Sequence, residues 1–384
     1  MKTTSRDTEL AADQTGGIEE EVSEFDPLRT PYEVNEMDFP WSRTLEEQFV
    51  FLLRYAILAP SSYNTQPWQF EVGPDGIAVY ADYGRRLPVV DPGNRELHMS
   101  VGAAIANLRV AASHFGFACR VDYNHSGDSE RPLAFASLTP MLSDDHAAEI
   151  MDALFPSITR RHTNRNPFLV TRIPEAVQQR LRVLAADSRA GVYISTDGMI
   201  NQRAADLVAG AERMLQADPT YRQELSDWIR PNWTQRPDGI TGAALGVKGV
   251  TSALAPWATK VLDLGRLRAA AQKNLCVQAP GLIIIYGEDS VPVWLEAGEL
   301  LERLLLTITR EGMQYSFFNM PIEIPQLRLE MRALAGLSAW PQLLLRIGYC
   351  LEPTSPTPRR PVQDVLVRKS VLKHSFFFVK TEKG

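Results

Sequence analysis

Two stretches constrain this chain more than any others. In "MSVGAAIANLRVAASHF" (residues 99–115), Val101, Ala103, Ile105, Leu108, Val110, Ala112 and Phe115 cover nearly the whole circumference of a helix. A helix that is apolar on nearly every side has no face to offer water, so it must lie at the centre of the fold. "WLEAGELLERLLLTITREG" (residues 294–312) predicts a second long, largely buried helix. Gly102 and Gly298 fall near the starts of these two helices, and Gly116 and Gly312 near their ends.

The surroundings repeat as well. Thr44 and Glu47 form a capping box, in which a hydroxyl and a carboxylate three residues apart satisfy orphan helix N–H groups. The helix that follows carries Phe49, Leu52, Leu53, Ala56 and Ile57 on one face, and Pro60 stops it. "WQFEV" and "IAVYAD" read as strands joined through the turn 73–76, and "RPLAFASL" closes the unit after the first central helix. After residue 156 the order recurs: "IPEAVQQRLRVLAADS" as helix, "GVYIST" and "PGLIIIYGE" as strands, the second central helix, then "PQLLLRIGY". The expected fold is therefore an internally duplicated α+β chain with halves over 41–155 and 156–366.

Outside those halves the charge is uneven. Residues 1–40 hold eleven acids against Lys2, Arg6 and Arg29, the composition of a solvated, disordered arm. The tail 367–384 is basic, and its "SFFFV" is either an added edge strand or a segment without set structure. A net charge of −6 gives no reason to expect a nucleic-acid partner. No apolar run reaches the length of a membrane span, and no membrane partner is expected. The three cysteines, widely spaced and odd in number, read as reduced thiols of a cytoplasmic protein.

The two halves differ where chemistry needs hydrogen bonds. The first half follows its first helix with "APSSYNTQPW", where the second has only "AADSRAG". The second half opens with "TRRHTNRNPF", which has no counterpart in the first. In an extended stretch alternate residues project the same way, so Arg161, Thr163 and Arg165 converge. The Arg fork suits a phosphate dianion, and a hydroxyl adds a neutral donor. Arg359 and Arg360 supply a second basic pair. Either cluster alone reads equally as a solvated surface. The stretch 59–70 complements them: the Asn64 amide donates and accepts, so it can read an imide edge, and Ser61 and Ser62 can donate to ring or ribityl oxygens. Trp68 reads as core. A phosphate at one end and a flat imide-bearing ring at the other describe FMN.

Four segments, "APSSYNTQPW", "DPGNRELHMSVGAAIANLRVAA", "RRHTNRNPF" and "PQLLLRIGYCLEPTSPTPRRPVQDVL", together resemble the flavin-dependent nitroreductase superfamily, in its fused, Acg-type branch. The resemblance implies a nitroreductase-like fold in which one chain stands for a dimer. It implies one FMN per chain: Arg161, Thr163, Arg165 and Arg360 at the phosphate with Arg359 beside them, and Pro60, Ser61, Ser62 and Asn64 from the other half along the ring and ribityl. It also implies NAD(P)H as electron donor, a small-molecule acceptor of nitroaromatic or quinone-like type, and no catalytic side chain, Asn319 being the candidate on the N5 side. A monomer is expected, a homodimer remaining possible. The long stretch 218–262 resembles a lid, loop-rich, with Trp228, Arg230 and Trp233 as lid contacts or as its own small core. Three functions stay open: a working oxidoreductase, a flavin-sequestering protein with the ring occluded, and an interaction protein without cofactor.

Overall fold

The computed structural model describes residues 30–124, 131–141, 151–247, 249–352 and 354–368. The "SFFFV" segment and most of the acidic arm lie outside the described residues. The capping box forms as expected: Thr44 accepts from the Glu47 amide, Glu47 returns to the Thr44 amide, and helix α1 runs Leu45–Ala56. Strands β1 (Trp68–Gly73) and β2 (Gly76–Ala81) make a tight antiparallel hairpin. Helix α2 (Arg95–His114) follows, then β3 (Phe117–Tyr123) and β4 (Ala134–Pro140). The second round is α3 (Glu175–Val183), β5 (Gly191–Ser195), a long insertion, β8 (Gly281–Gly287), α8 (Val291–Arg310), β9 (Gln314–Phe317) and β10 (Trp340–Gly348).

Each round is helix, two strands, helix, two strands, so the duplicated α+β reading holds, with one strand more per half than the sequence pattern suggested. The sheets have the same antiparallel order, β1-β2-β4-β3 and β5-β8-β10-β9. Their central helices, α2 and α8, pack on one another across the middle of the molecule. A Cβ on Gly102 would sit 2.0 Å from the Leu295 carbonyl, and one on Gly298 would sit 2.0 Å from the Met99 carbonyl. The two glycines thus make reciprocal backbone contacts, as equivalent residues do about a two-fold axis. Both helices end with a glycine in the left-handed region, Gly116 at φ +77° and Gly312 at φ +71°.

The all-apolar "LIII" run of β8 is buried on both faces. Ile283 and Ile285 join α8 in one core, while Leu282 and Ile284 join Ala204, Ala205, Val208 and Cys276 in another. That second cover comes from the insertion between β5 and β8. It contains α4 (Gly198–Ala217), α5 (Pro219–Trp228), the two-residue strands β6 (Ile229–Arg230) and β7 (Ile240–Thr241), α6 (Ala255–Val261) and α7 (Gly265–Val277). Within 218–262 the α-helix is limited to α5 and α6, with turns and short strands over 229–254 between them; α4 and α7, outside that stretch, make the insertion as a whole mostly helical. Residues 30–40 depart from the expected disordered arm: Phe39 is buried and stacks on Phe115 at 4.3 Å. Between β9 and β10 lie α9 (Met320–Glu323) and α10 (Pro325–Leu334), and after β10 a last turn, α11 (Val362–Val365), leads the chain back to β1.

Candidate functional site

The end of α1 and the stretch after it form a meeting point. The Leu58 carbonyl accepts from Arg161 Nη2 at 2.6 Å and from Arg359 Nη2 at 3.1 Å. Asn64 Oδ1 accepts from Arg359 Nη1 at 3.0 Å, and the Arg360 amide donates to Gln66 Oε1 at 2.8 Å. The two basic clusters, nearly two hundred residues apart, therefore converge on the segment of the other half that sequence reasoning paired with them.

Their side chains play unequal parts. Arg161 is buried at 2% exposure, where its Nε lies 3.0 Å from Glu302 Oε1 and its fork also donates to the Tyr315 phenol. Burial alone would lower its pKa, but Glu302 and Tyr315 raise it above the ordinary value. Burial pushes Glu302 up to about 6, against the pull of Arg161. Arg161 thus braces the floor of the site and is occupied by protein, not aimed at a phosphate as its sequence position suggested. Arg359 is likewise buried and held by Asn64, Thr357 and two carbonyls, though its Nε has no partner. Arg360 is half-buried, donates to the Gln66 and Asp364 carbonyls and lies 3.7 Å from Asp82.

Arg165 is different. It makes no hydrogen bond or ion pair among the described residues, and its surface is open to water. Yet crowding protein lowers its pKa, with Tyr315 opposing. Thr163, half-buried beside it in sequence, sets its hydroxyl against the Tyr315 phenol.

One residue escaped sequence reasoning. Arg346 lies in the middle of the apolar run of β10, 1% exposed, with its guanidinium 3.9 Å from the Phe168 ring centre. Its Nη2 donates to the Asn166 carbonyl at 2.9 Å, but Nε and Nη1 have no partner. Burial first, and Arg165 among its neighbours, lower its pKa to about 10. A lone charge inside "LLLRIGY" was the available signal. His162 reports the same surplus of positive charge: burial, then Arg161 and Arg359, press its pKa down to about 3. Buried cations without enough counter-charge call for an anion.

At the other end of the stretch, Ser61 Oγ accepts from the Gln66 amide at 2.9 Å, and Ser62 donates to Glu96. Asn319 Nδ2 lies 3.5 Å from the same Glu96 carboxylate, so Ser62 of one half and Asn319 of the other do meet. Asn319 Oδ1 accepts from the Leu344 amide. Glu323 stands nearby, its pKa raised well above the ordinary value by burial and then by Glu96. Pro60 is buried.

Asn64 does not present its amide to open space. Its Nδ2 donates to the carbonyls of Gly239 and Pro358, both at 3.0 Å. Gly239 belongs to the insertion, which grips this stretch at several points: Gln66 Nε2 donates to the Pro237 carbonyl at 2.7 Å, and Asp238 is shared by Arg85 and Arg230. The Glu224 carboxylate accepts from the amides of Val89 and Val90, both at 2.9 Å. Trp228 carries the guanidinium groups of Arg85 and Arg230 at 5.4 and 5.7 Å, while Trp233 points largely into water.

No family model matches the chain. A Mycobacterium tuberculosis protein provisionally named an NAD(P)H nitroreductase is 28% identical over 320 residues, covering 82% of this chain and 90% of that protein. A second from the same organism, the provisional NAD(P)H nitroreductase Acg, is 26% identical and covers 82% and 93%. The Serratia NAD(P)H nitroreductase PigM, also named provisionally, is 25% identical and covers 87% and 96%. Among solved structures, an FMN-dependent nitroreductase of Mycobacterium smegmatis in complex with NADPH is similar at a TM-score of 0.33 and 16% identity, covering 60% of this chain and 99% of that one.

Proposed function

Since the chain is a relative of the fused, Acg-type nitroreductases along most of its length, we propose that it binds one FMN and works as an NAD(P)H-dependent oxidoreductase on a small acceptor. The observation that carries this reading is the convergence of Arg161 and Arg359 on the Leu58 carbonyl. It joins an under-compensated cationic pocket to a stretch rich in small donors. The donor set suits the phosphate: Arg165 is free, Thr163 is next to it, and Arg346 and Arg359 keep unpartnered N–H groups behind them. Arg161 and Arg360 hold the walls. Ser61 and Ser62 would face the ribityl and ring, and Asn319 the N5 side. When bound, FMN supplies the redox chemistry, taking hydride from NAD(P)H and passing it to a nitroaromatic or quinone-like acceptor. The protein's part is to orient the ring and exclude water.

The mirror-image position lacks both pieces. The segment before α1 bears Glu33, Glu36 and Asp38 where that before α3 bears Arg161, Thr163 and Arg165, and "AADSRAG" replaces the serine-rich stretch. An acidic segment repels a phosphate, which supports one FMN per chain. The internal pairing of halves supports a monomer, and the three free cysteines suit the cytoplasm.

A second reading is favoured by the grip of 237–239 on Asn64, Gln66 and Arg85. If that closure persists with flavin bound, the protein sequesters FMN instead of turning it over. Anaerobic titration of FMN-loaded protein with NADH and NADPH separates the two. Bleaching of the visible flavin band on a catalytic timescale is expected. Flavin that stays oxidised with both donors yet reduces with dithionite would establish occlusion.

A further inference from the structure

Six of the nineteen large apolar side chains exposed among the described residues fall within eighteen positions of the insertion: Val250, Leu254, Trp257, Val261, Leu262 and Leu267. That is too dense for scattered surface residues, which need no explanation singly. Leu254, Trp257 and Val261, at 62%, 60% and 52% exposure, follow one another at i, i+3 and i+7. On α6 and the residue before it, that spacing places them on one face. Thr259, buried, sits off that face and accepts from Arg268 Nη2 at 3.4 Å, so α6 is anchored to α7 from behind.

The chain along this stripe is mostly basic. No acidic residue occurs between Asp238 and Asp263, and the stretch 248–273 carries Lys248, Lys260, Arg266, Arg268 and Lys273 against Asp263 alone, in a chain of net charge −6. Lys260 and Arg266 are exposed and make no ion pair among the described residues. A second copy of the chain is a poor occupant, because a two-fold contact would bring Lys260 and Arg266 close to their own copies. A surface that is apolar inside and negative at its boundary complements both features. Tryptophan and aliphatic residues beside lysine and arginine are the composition of an interfacial helix.

We propose that this face of the insertion docks on an anionic lipid bilayer, with Leu254, Trp257 and Val261 entering the headgroup boundary and Lys260 and Arg266 meeting lipid phosphates. The expectation of no membrane partner rested on the lack of a spanning segment, and a peripheral wedge needs none. Docking sets the insertion, which also grips the Asn64 stretch, against a phase that dissolves apolar acceptors.

The test is co-sedimentation of the whole protein with vesicles of phosphatidylcholine alone and of phosphatidylcholine mixed with phosphatidylglycerol. Retention by the mixed vesicles is expected, falling at high salt. Leu254→Ser with Trp257→Ser should bind at least about tenfold more weakly, as the loss of two large apolar contacts implies. Both side chains are exposed, so circular dichroism should not change. Lys260→Glu with Arg266→Glu should weaken retention while leaving the apolar stripe intact. A protein that neither vesicle retains overturns the proposal. So does a wild-type dimer in light scattering that the Ser variant splits, without vesicle binding: the stripe is then a self-association face. Neither readout depends on bound flavin or on turnover.

Discussion

Arg161 and Arg165 stand four residues apart and have opposite fates, and substitution should separate them. Arg165→Ala removes a free donor: FMN affinity should fall about tenfold or more, with urea stability within about 0.5 kcal/mol of wild type. Arg161→Ala leaves Glu302 in the core without its cation, which costs about 3–5 kcal/mol of stability. Equal stability losses in the two variants would contradict these roles. His162 supplies a pH dependence. Its ordinary pKa is near 6.5, while burial, Arg161 and Arg359 hold it near 3 in the folded chain. Between those values the unfolded chain takes up a proton that the folded chain refuses. The contribution of His162 to stability is thus complete above about pH 6.5 and is lost as pH falls towards 3. His162→Gln should flatten that part of the pH–stability curve, as followed by urea melts, and an unchanged slope would argue against the buried cationic pocket. At this scale the sequence identified residue types better than contacts. Nothing in "RRHTNR" says that Arg161 turns inward, because its partner Glu302 lies on α8, far along the chain.

At the scale of elements, the reciprocal contacts of Gly102 and Gly298 fix how closely α2 and α8 approach. A methyl group at either position meets a carbonyl oxygen at 2.0 Å, so Gly102→Ala or Gly298→Ala should each cost roughly 3 kcal/mol in urea denaturation. Near-zero cost would mean the helices can part without penalty. The apolar circumference of these helices was legible because it admits one placement only. β3 and β9 were not: after Phe117, β3 alternates exposed and half-buried residues through Arg120 and Asp122, and β9 has four residues. A short or half-solvated edge strand offers little apolar signal. The stretch 218–262 was visible as extra length, while the flanking α4 and α7 were not, since they gain their order from packing on Leu282 and Ile284 of β8. The grip of this stretch is testable through Asp238, which Arg85, Arg230 and Arg236 share. Asp238→Asn weakens that grip, so flavin reduction by a nicotinamide should quicken if closure limits access, and stay unchanged if it does not.

For the molecule as a whole, two halves alike in sheet and central helix but unlike in two short segments would account for the single asymmetric site proposed. Each half keeps its sheet and central helix. One keeps the serine- and amide-rich turn, and the other keeps the arginines. The order of these segments along the chain made the pairing legible, while the insertion's clasp on Asn64 was not, because it joins Gly239 to a residue 175 positions away. The central claim is that the two unlike segments build one flavin site per chain. It is tested most directly by equilibrium titration of the flavin-free protein with FMN, followed by flavin fluorescence. The account predicts saturation at one FMN per chain, weakened by Arg165→Ala. No uptake, or two equivalents bound with equal affinity, would contradict it.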